Sequence, residues 1–200
     1  TANHGALVSS NAYIVNNYRS YLFNSGTLLF LDKINNQLQS NYYLEDLNIL
    51  SSLNLFDDFL DAPYNFNDYL YFIDKKGLIS VFNPTAPKIL WEININSSIK
   101  DYIFSDNGYL TLLTNNKIIV LDENGNNVYE YSHFIENPNL FLIRLNEIYI
   151  FNNEGITIFD VKTMELKNSI KKKFKGHLQI IKSESNIFLK DIDALYKIGE

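Results

Sequence analysis

The apolar residues of this chain fall in runs of four to six broken by polar turn residues, and four of these runs end alike. Positions 28–32 (LLFLD), 80–83 (SVFN), 118–122 (IIVLD) and 156–160 (ITIFD) each carry an apolar stretch into Asp or Asn, then a polar turn, then another apolar stretch. A fifth run, 195–198 (LYKI), has Gly199 where the acidic residue would fall. The anchors Asp32, Asn83, Asp122, Asp160 and Gly199 stand 51, 39, 38 and 39 residues apart. A period near 40 with several strands per unit is the pattern of β-propeller blades. The long first interval predicts an insertion of about a dozen residues in the second unit, placed at 45–60.

Each unit resolves into four strands. In the third they are predicted at 99–104, 109–113, 117–121 and 128–131, with turns at 105–108 and 114–116. In the fourth they fall at 140–144, 148–151, 156–159 and 166–170. Asn107-Gly108 and Asn124-Gly125 are strong turn pairs, because both residue types accept a positive φ. The runs are too short for packed helices. They are nearly continuous rather than alternating, as expected where neighbouring blades cover both faces of a sheet. The fold expected is therefore all-β, a β-propeller of four-stranded antiparallel blades, about five of them in residues 1–200.

The last unit shows only three strands, and a bare fourth edge invites aggregation. Residues 1–8 would supply the missing strand in a five-bladed ring. In the leading alternative the strand lies upstream, and the chain is the C-terminal part of a seven- or eight-bladed ring. Thr1 in place of Met agrees with an upstream piece, on which a signal peptide or lipid-anchor cysteine would sit.

Composition supports the β reading and narrows the function. The 14 Tyr and 14 Phe suit pleated strands, and Asn gathers between apolar runs, where turns need it. With no Cys there are no disulfides, thiolate metal sites or cysteine nucleophiles, which fits an oxidising compartment without excluding the cytoplasm. A net charge of −6 argues against nucleic acid, and no run is long enough for a transmembrane helix.

The second unit resembles a known repeat more closely. Val81-Phe82-Asn83-Pro84-Thr85-Ala86-Pro87-Lys88-Ile89-Leu90-Trp91 is similar to the PQQ-like propeller repeat. In that repeat a strand ends in Asp, followed by Thr-Gly or similar, a Lys, two apolar residues and a docking Trp. Asp122-Glu123-Asn124-Gly125 with Val128-Tyr129 resembles it with one residue fewer and Tyr in the Trp place. At 160–163 the Asp and Thr recur, with Met164 in the Gly place. The structural anchors of the repeat are thus Asp32, Asn83, Trp91, Asp122, Gly125 and Asp160. The chain's end, a strand at 186–190, a turn at 191–193 and a short strand after it, resembles the BamB family of outer-membrane β-barrel assembly lipoproteins. That resemblance implies a periplasmic scaffold of eight blades without catalysis, anchored at the outer membrane and docked through loops to a protein partner, a β-barrel assembly subunit.

Candidate chemistry is sparse. His4, His133 and His177 lack a second ligand at metal spacing and read as structural or surface residues. The quinone-binding branch of the PQQ-like family uses a stacking Trp, acidic calcium ligands and usually a vicinal disulfide. One Trp at a docking position and no Cys give no reason to expect that cofactor, or any other. Asp57, Asp58 and Asp61 lack the glycine of a calcium loop and read as solvated. Lys171, Lys172, Lys173 and Lys175 read as a charged connection rather than a phosphate or lipid contact. The insertion carries Leu53, Leu55, Phe56 and Phe59, which fit a short amphipathic helix on the propeller or, if exposed, a partner contact. The leading expectation is a non-catalytic scaffold for protein–protein interaction. A small-ligand or glycan-binding module is the alternative, and a propeller glycosidase, which needs paired carboxylates at the ring centre, the third.

Overall fold

The computed structural model describes residues 13–15, 18–22, 27–43, 64–86, 88–105, 107–183 and 186–198. All regular structure among them is β. In chain order the strands are β1 (Tyr13–Val15), β2 (Tyr18–Leu22), β3 (Thr27–Asp32), β4 (Leu38–Tyr43), β5 (Tyr64–Phe66), β6 (Tyr69–Ile73), β7 (Leu78–Asn83), β8 (Lys88–Asn94), β9 (Ile99–Phe104) and β10 (Leu110–Thr114). They continue as β11 (Lys117–Leu121), β12 (Asn127–Ser132), β13 (Leu140–Arg144), β14 (Glu147–Asn152), β15 (Gly155–Asp160), β16 (Leu166–Lys171), β17 (Gln179–Ser183), β18 (Asn186–Lys190) and β19 (Leu195–Ile198). Each pairs antiparallel with its chain neighbour, giving four-stranded sheets β1–β4, β5–β8, β9–β12 and β13–β16, and a sheet β17–β19 with three described strands. The predicted strands at 99–104, 117–121 and 140–144 coincide with β9, β11 and β13. The proposed closing segment 1–8 and the insertion 45–60 lie outside the described residues.

The chain forms two compact units, one of residues up to Ser98 with Glu123–Asn126, the other of Ile99–Asp122 with the residues from Asn127 onward. In the first, Leu70, Phe72 and Ile73 on β6 and Ile79, Val81 and Phe82 on β7 are buried. Consecutive residues point to opposite faces of a strand, so burial of neighbours such as Val81 and Phe82 means that both faces are covered. Each such side chain contributes about 1.5–3 kcal/mol.

The second unit follows the same plan around two apolar clusters. Leu113, Ile118, Phe141, Ile148 and Ile150 form one, and Leu142, Phe151, Phe174, Leu178, Leu189 and Ile198 the other. All five residues of β10 are buried, whereas all six of β16 (LKNSIK) are exposed. Coverage of both faces therefore holds for the middle strands and fails for the outer ones. The outer strands are sheet edges with neighbours on fewer sides, and β16 carries Lys167 and Lys171, which discourage further pairing.

Polar ties join neighbouring sheets within this unit. Asp101 on β9 accepts the Phe141 N–H through Oδ2 at 2.9 Å, and Arg144 Nη1 donates to the Ile198 carbonyl at 2.8 Å. The lysine-bearing connection is held down. Phe174 is buried in the second cluster, Lys172 Nζ stands 3.9 Å above the Tyr196 ring, and Lys175 pairs with Asp193 at 2.6 Å. His133 is buried after β12. The Ile135 N–H donates to its Nδ1, so Nε2 carries the proton and donates to the Thr114 carbonyl at 3.3 Å. Desolvation holds its pKa below the ordinary value of 6.5, against the opposing pull of the Thr114 carbonyl.

The recurring anchor has one job. Asp32 Oδ1 accepts the N–H groups of Ile34 and Asn35, Asn83 Oδ1 those of Thr85 and Ala86, and Asp160 Oδ1 those of Lys162 and Thr163. Each side chain closes the turn into the outer strand by capping two donors that the ladder leaves unpaired. Asn83 does this uncharged, so the acceptor oxygen matters rather than the charge. Asp191 repeats the device at 191–194, where it is buried. Burial works against its charge, but the N–H donors of Lys175, Ala194 and Asp193 outweigh it and lower its pKa.

Asp160→Ala is expected to lower Tm by about 2–4 °C, and Asp160→Asn to stay within about 2 °C of the parent, both measured by thermal unfolding. The depressed His133 pKa makes a stability contribution that is present above the free imidazole value and lost as pH falls through the folded one. Wild-type Tm should thus fall on acidification from neutral pH to below 6.5, and His133→Phe should flatten that limb. An identical slope in the variant would contradict the assignment.

Candidate functional site

The second unit contains a cleft of about 500 Å³ between the sheets β9–β12 and β13–β16. Strand register builds its first wall. Thr111, Val120 and Tyr129 lie in one row across β10, β11 and β12, and Leu113, Ile118 and Tyr131 in the next. The Tyr129 and Tyr131 rings, two residues apart on one face of β12, stack with centroids 6.1 Å apart and planes 16° from parallel. Ile143 and Ile148 face them from β13 and β14, with Val161, Lys162 and Met164 from the turn after β15. Tyr109, from the β9–β10 turn, completes the rim. Lys162 alone among the lining residues is charged. The cleft therefore offers apolar surface, phenol and aliphatic hydroxyls, an amide and one cation.

Two turns at this end hold unusual residues. Leu145, between β13 and β14, has φ +55°, and Met164, after β15, has φ +56°. Left-handed backbone costs a residue with a Cβ about 1–2 kcal/mol, and Gly, Asn or Asp usually take such positions. In the matching turn after β3 the same position is Asn36, with φ +57°. There Asn36 N–H donates to Asp32 O and Asp32 N–H to Gln37 O, as Met164 does to Asp160 and Asp160 to Glu165. The sequence reading placed Met164 where a glycine belongs, and the backbone gives the reason. The Val161 N–H donates to the Asn146 carbonyl at 2.9 Å, so the two turns form one surface. Leu145 is 89% exposed on it.

A second, polar cleft of about 380 Å³ lies near Lys100, Asn139, Asn153 and His177, where Asn139 Nδ2 donates to Asn153 Oδ1 at 2.8 Å. Among the described residues no group of three or more His, Asp or Glu is placed to hold a metal ion. His4, Asp57, Asp58, Asp61 and the apolar residues Leu53, Leu55, Phe56 and Phe59 lie outside the described residues.

The anchors serve the fold and stand apart from the cleft except through Asp160, whose turn forms its second wall. Trp91 Nε1 donates to the Glu123 carbonyl at 2.8 Å, and its ring meets Tyr71 edge-on with centroids 6.0 Å apart. Burial, with a contribution from Glu123, pushes the Tyr71 hydroxyl up to about 12. Gly125 has φ +80°, and a Cβ there would come within 2.8 Å of the indole. Trp91 thus lies flat against the segment Glu123–Asn126 of its own unit, a contact that needs glycine twice over, for space and for backbone. Sequence reasoning missed Tyr109, Tyr131 and Leu145, and read Tyr129 only as standing in the Trp place of the repeat. The alternation VYEY at 128–131 was a usable signal, since it places two tyrosines on one face of an outer strand.

No family model matches the sequence, and no curated protein is similar to it at a comparable level. Solved structures are similar in backbone. BamB from Moraxella catarrhalis matches with a TM-score of 0.61 and 12% identity over 98% of this chain and 62% of that one. Sqt1 of Saccharomyces cerevisiae matches with a TM-score of 0.64 and 9% identity over 96% and 59%, and the computationally designed Ika8 protein with 0.60 and 14% over 92% and 55%. The chain spans 55–62% of these chains. The fold is a β-propeller, with about five blades in this chain.

Trp91 is the only tryptophan, so its fluorescence reports this contact alone. Gly125→Ala is expected to shift its emission to the red and to destabilise by about 1–3 kcal/mol in denaturant titration. Unchanged emission and midpoint would contradict the packing described.

Proposed function

We propose that this protein is a non-catalytic propeller scaffold for protein–protein interaction, docking through the surface formed by the turns of Leu145 and Met164 and the tyrosine cleft beside them. The observation that carries this reading is the pair of large apolar residues in left-handed backbone on two hydrogen-bonded turns. Met164 is half-buried against the apolar cluster of Ile148, whereas at Leu145 Asn would relieve strain and remove apolar surface from water. Both costs stand against a free surface and are recovered where a partner covers it. Tyr and Met are also enriched at interface centres, where a rigid ring and an adaptable thioether bury area cheaply.

Within this reading, the docked Trp91 favours a PQQ-like repeat, and likeness to BamB favours a periplasmic, outer-membrane-anchored protein whose partner is a β-barrel assembly subunit. A chain spanning 62% of that neighbour suits part of a larger ring. The polar cleft at Asn139, Asn153 and His177 supports a second reading, a glycan or small polar ligand bound by amide and imidazole groups.

A photoreactive phenylalanine analogue at Leu145, in the full-length protein in its native cell, is expected to give discrete protein adducts, with none at Lys33 on another turn. Leu145→Asn should keep or raise Tm while weakening co-purification of the same partners. Absence of adducts at Leu145, together with retention of a glycan by the wild type and its loss in Asn139→Ala, would favour the second reading.

A further inference from the structure

The outer edge of β12 differs from those of β8 and β16 and matches that of β4 (LQSNYY) in carrying neither lysine nor proline. It closes the sheet order β12-β11-β10-β9, so its backbone is paired on one side only among the described residues. Five of its six residues are exposed. Outer strands usually carry lysine or proline that resist pairing, and here β8 begins with Lys88 and β16 carries Lys167 and Lys171. The sequence of β12, NVYEYS, has neither, and Val and Tyr favour the extended state. Its Glu130 is already neutralised on the opposite face by Lys117 at 2.5 Å. On the cleft face stand Tyr129, 56% exposed, and Tyr131, with Lys162 the single charge among the lining residues.

From these we infer that β12 receives an extended peptide segment of a protein partner, added as a further strand of about six residues, with alternate apolar side chains resting on Tyr129 and Tyr131 and an acidic group meeting Lys162. Free N–H and C=O groups along an extended edge are matched by another strand's backbone, which supplies affinity in a sequence-tolerant way. The period of two then turns every second peptide side chain toward the tyrosines and the rest toward the Val128 face. Charge selects among segments, since a lone cation beside an apolar platform favours Asp, Glu or a terminal carboxylate. The inference rests on the scaffold reading and names what the partner contributes.

The test is a phage-displayed library of random peptides of about twelve residues, panned on the full chain, with enriched sequences labelled and titrated by fluorescence anisotropy. Enriched peptides should alternate apolar residues over about six positions with an acidic residue to one side. Backbone N-methylation at every second residue should weaken binding more than about tenfold in one parity and less than about twofold in the other, because only alternate amides face β12. Tyr129→Lys should weaken binding about tenfold at unchanged Tm, and Ile34→Asp, at an exposed turn of the first unit, should leave it unaltered. Lack of enrichment, equal tolerance of methylation in both parities, or full binding by Tyr129→Lys would overturn the inference. If any of these accompanies persistent Leu145 adducts, strand addition fails and the scaffold stands. Parity-dependent peptide binding without adducts at Leu145 would sustain the strand site and remove the docking surface at the turns.

Discussion

A sheet whose middle strands are apolar on both faces cannot stand in water by itself, and the rest of this molecule depends on that constraint. Neighbouring residues of β7 and every residue of β10 are buried, so each sheet needs cover on two sides. A repeat of such sheets supplies that cover with one structural idea used again and again. The polar ties in the second unit follow from it. Where inner strands of adjacent sheets approach, backbone groups lose water, and Asp101 and Arg144 each satisfy one of them across the gap.

The turns obey the same economy. Three middle strands leave their apolar runs through a side chain that accepts two backbone N–H groups, an aspartate after β3 and β15 and an asparagine after β7. Once the turn is capped locally, its path does not depend on which side chain its tip carries. Loop chemistry can then change without disturbing the sheets, which lets one turn hold Asn36 and its counterpart Met164.

Much of the architecture was legible because the repeat is punctuated at intervals that vary little over the last four anchors. The third and fourth sheets could be drawn almost strand for strand, since Asn-Gly pairs and capping acids mark where each run stops. The outer strands were misjudged. Their exposure depends on position in a sheet, and composition within a short run does not report position, so LKNSIK and LTLLT were read under one rule. The cleft was harder still. That Tyr129 and Tyr131 face Met164 depends on register between sheets, which no spacing along the chain encodes. Leu145 carries no local signal, because leucine is the last residue one expects in left-handed backbone. Asp191 was read as part of a turn, and the structure adds that it is buried in the turn between β18 and β19 and accepts three backbone N–H groups.

The contrast between buried middle strands and exposed outer ones also bears on how many different sequences this backbone admits. An inner row tolerates exchange among Ile, Leu, Val and Phe and little else, whereas β16 can accept almost any polar residue. The margin of each sheet and the exact choice among apolar residues inside it can therefore differ widely while the path of the backbone stays the same. BamB and Sqt1 share this backbone at TM-scores of 0.61 and 0.64 with identities of 12% and 9%.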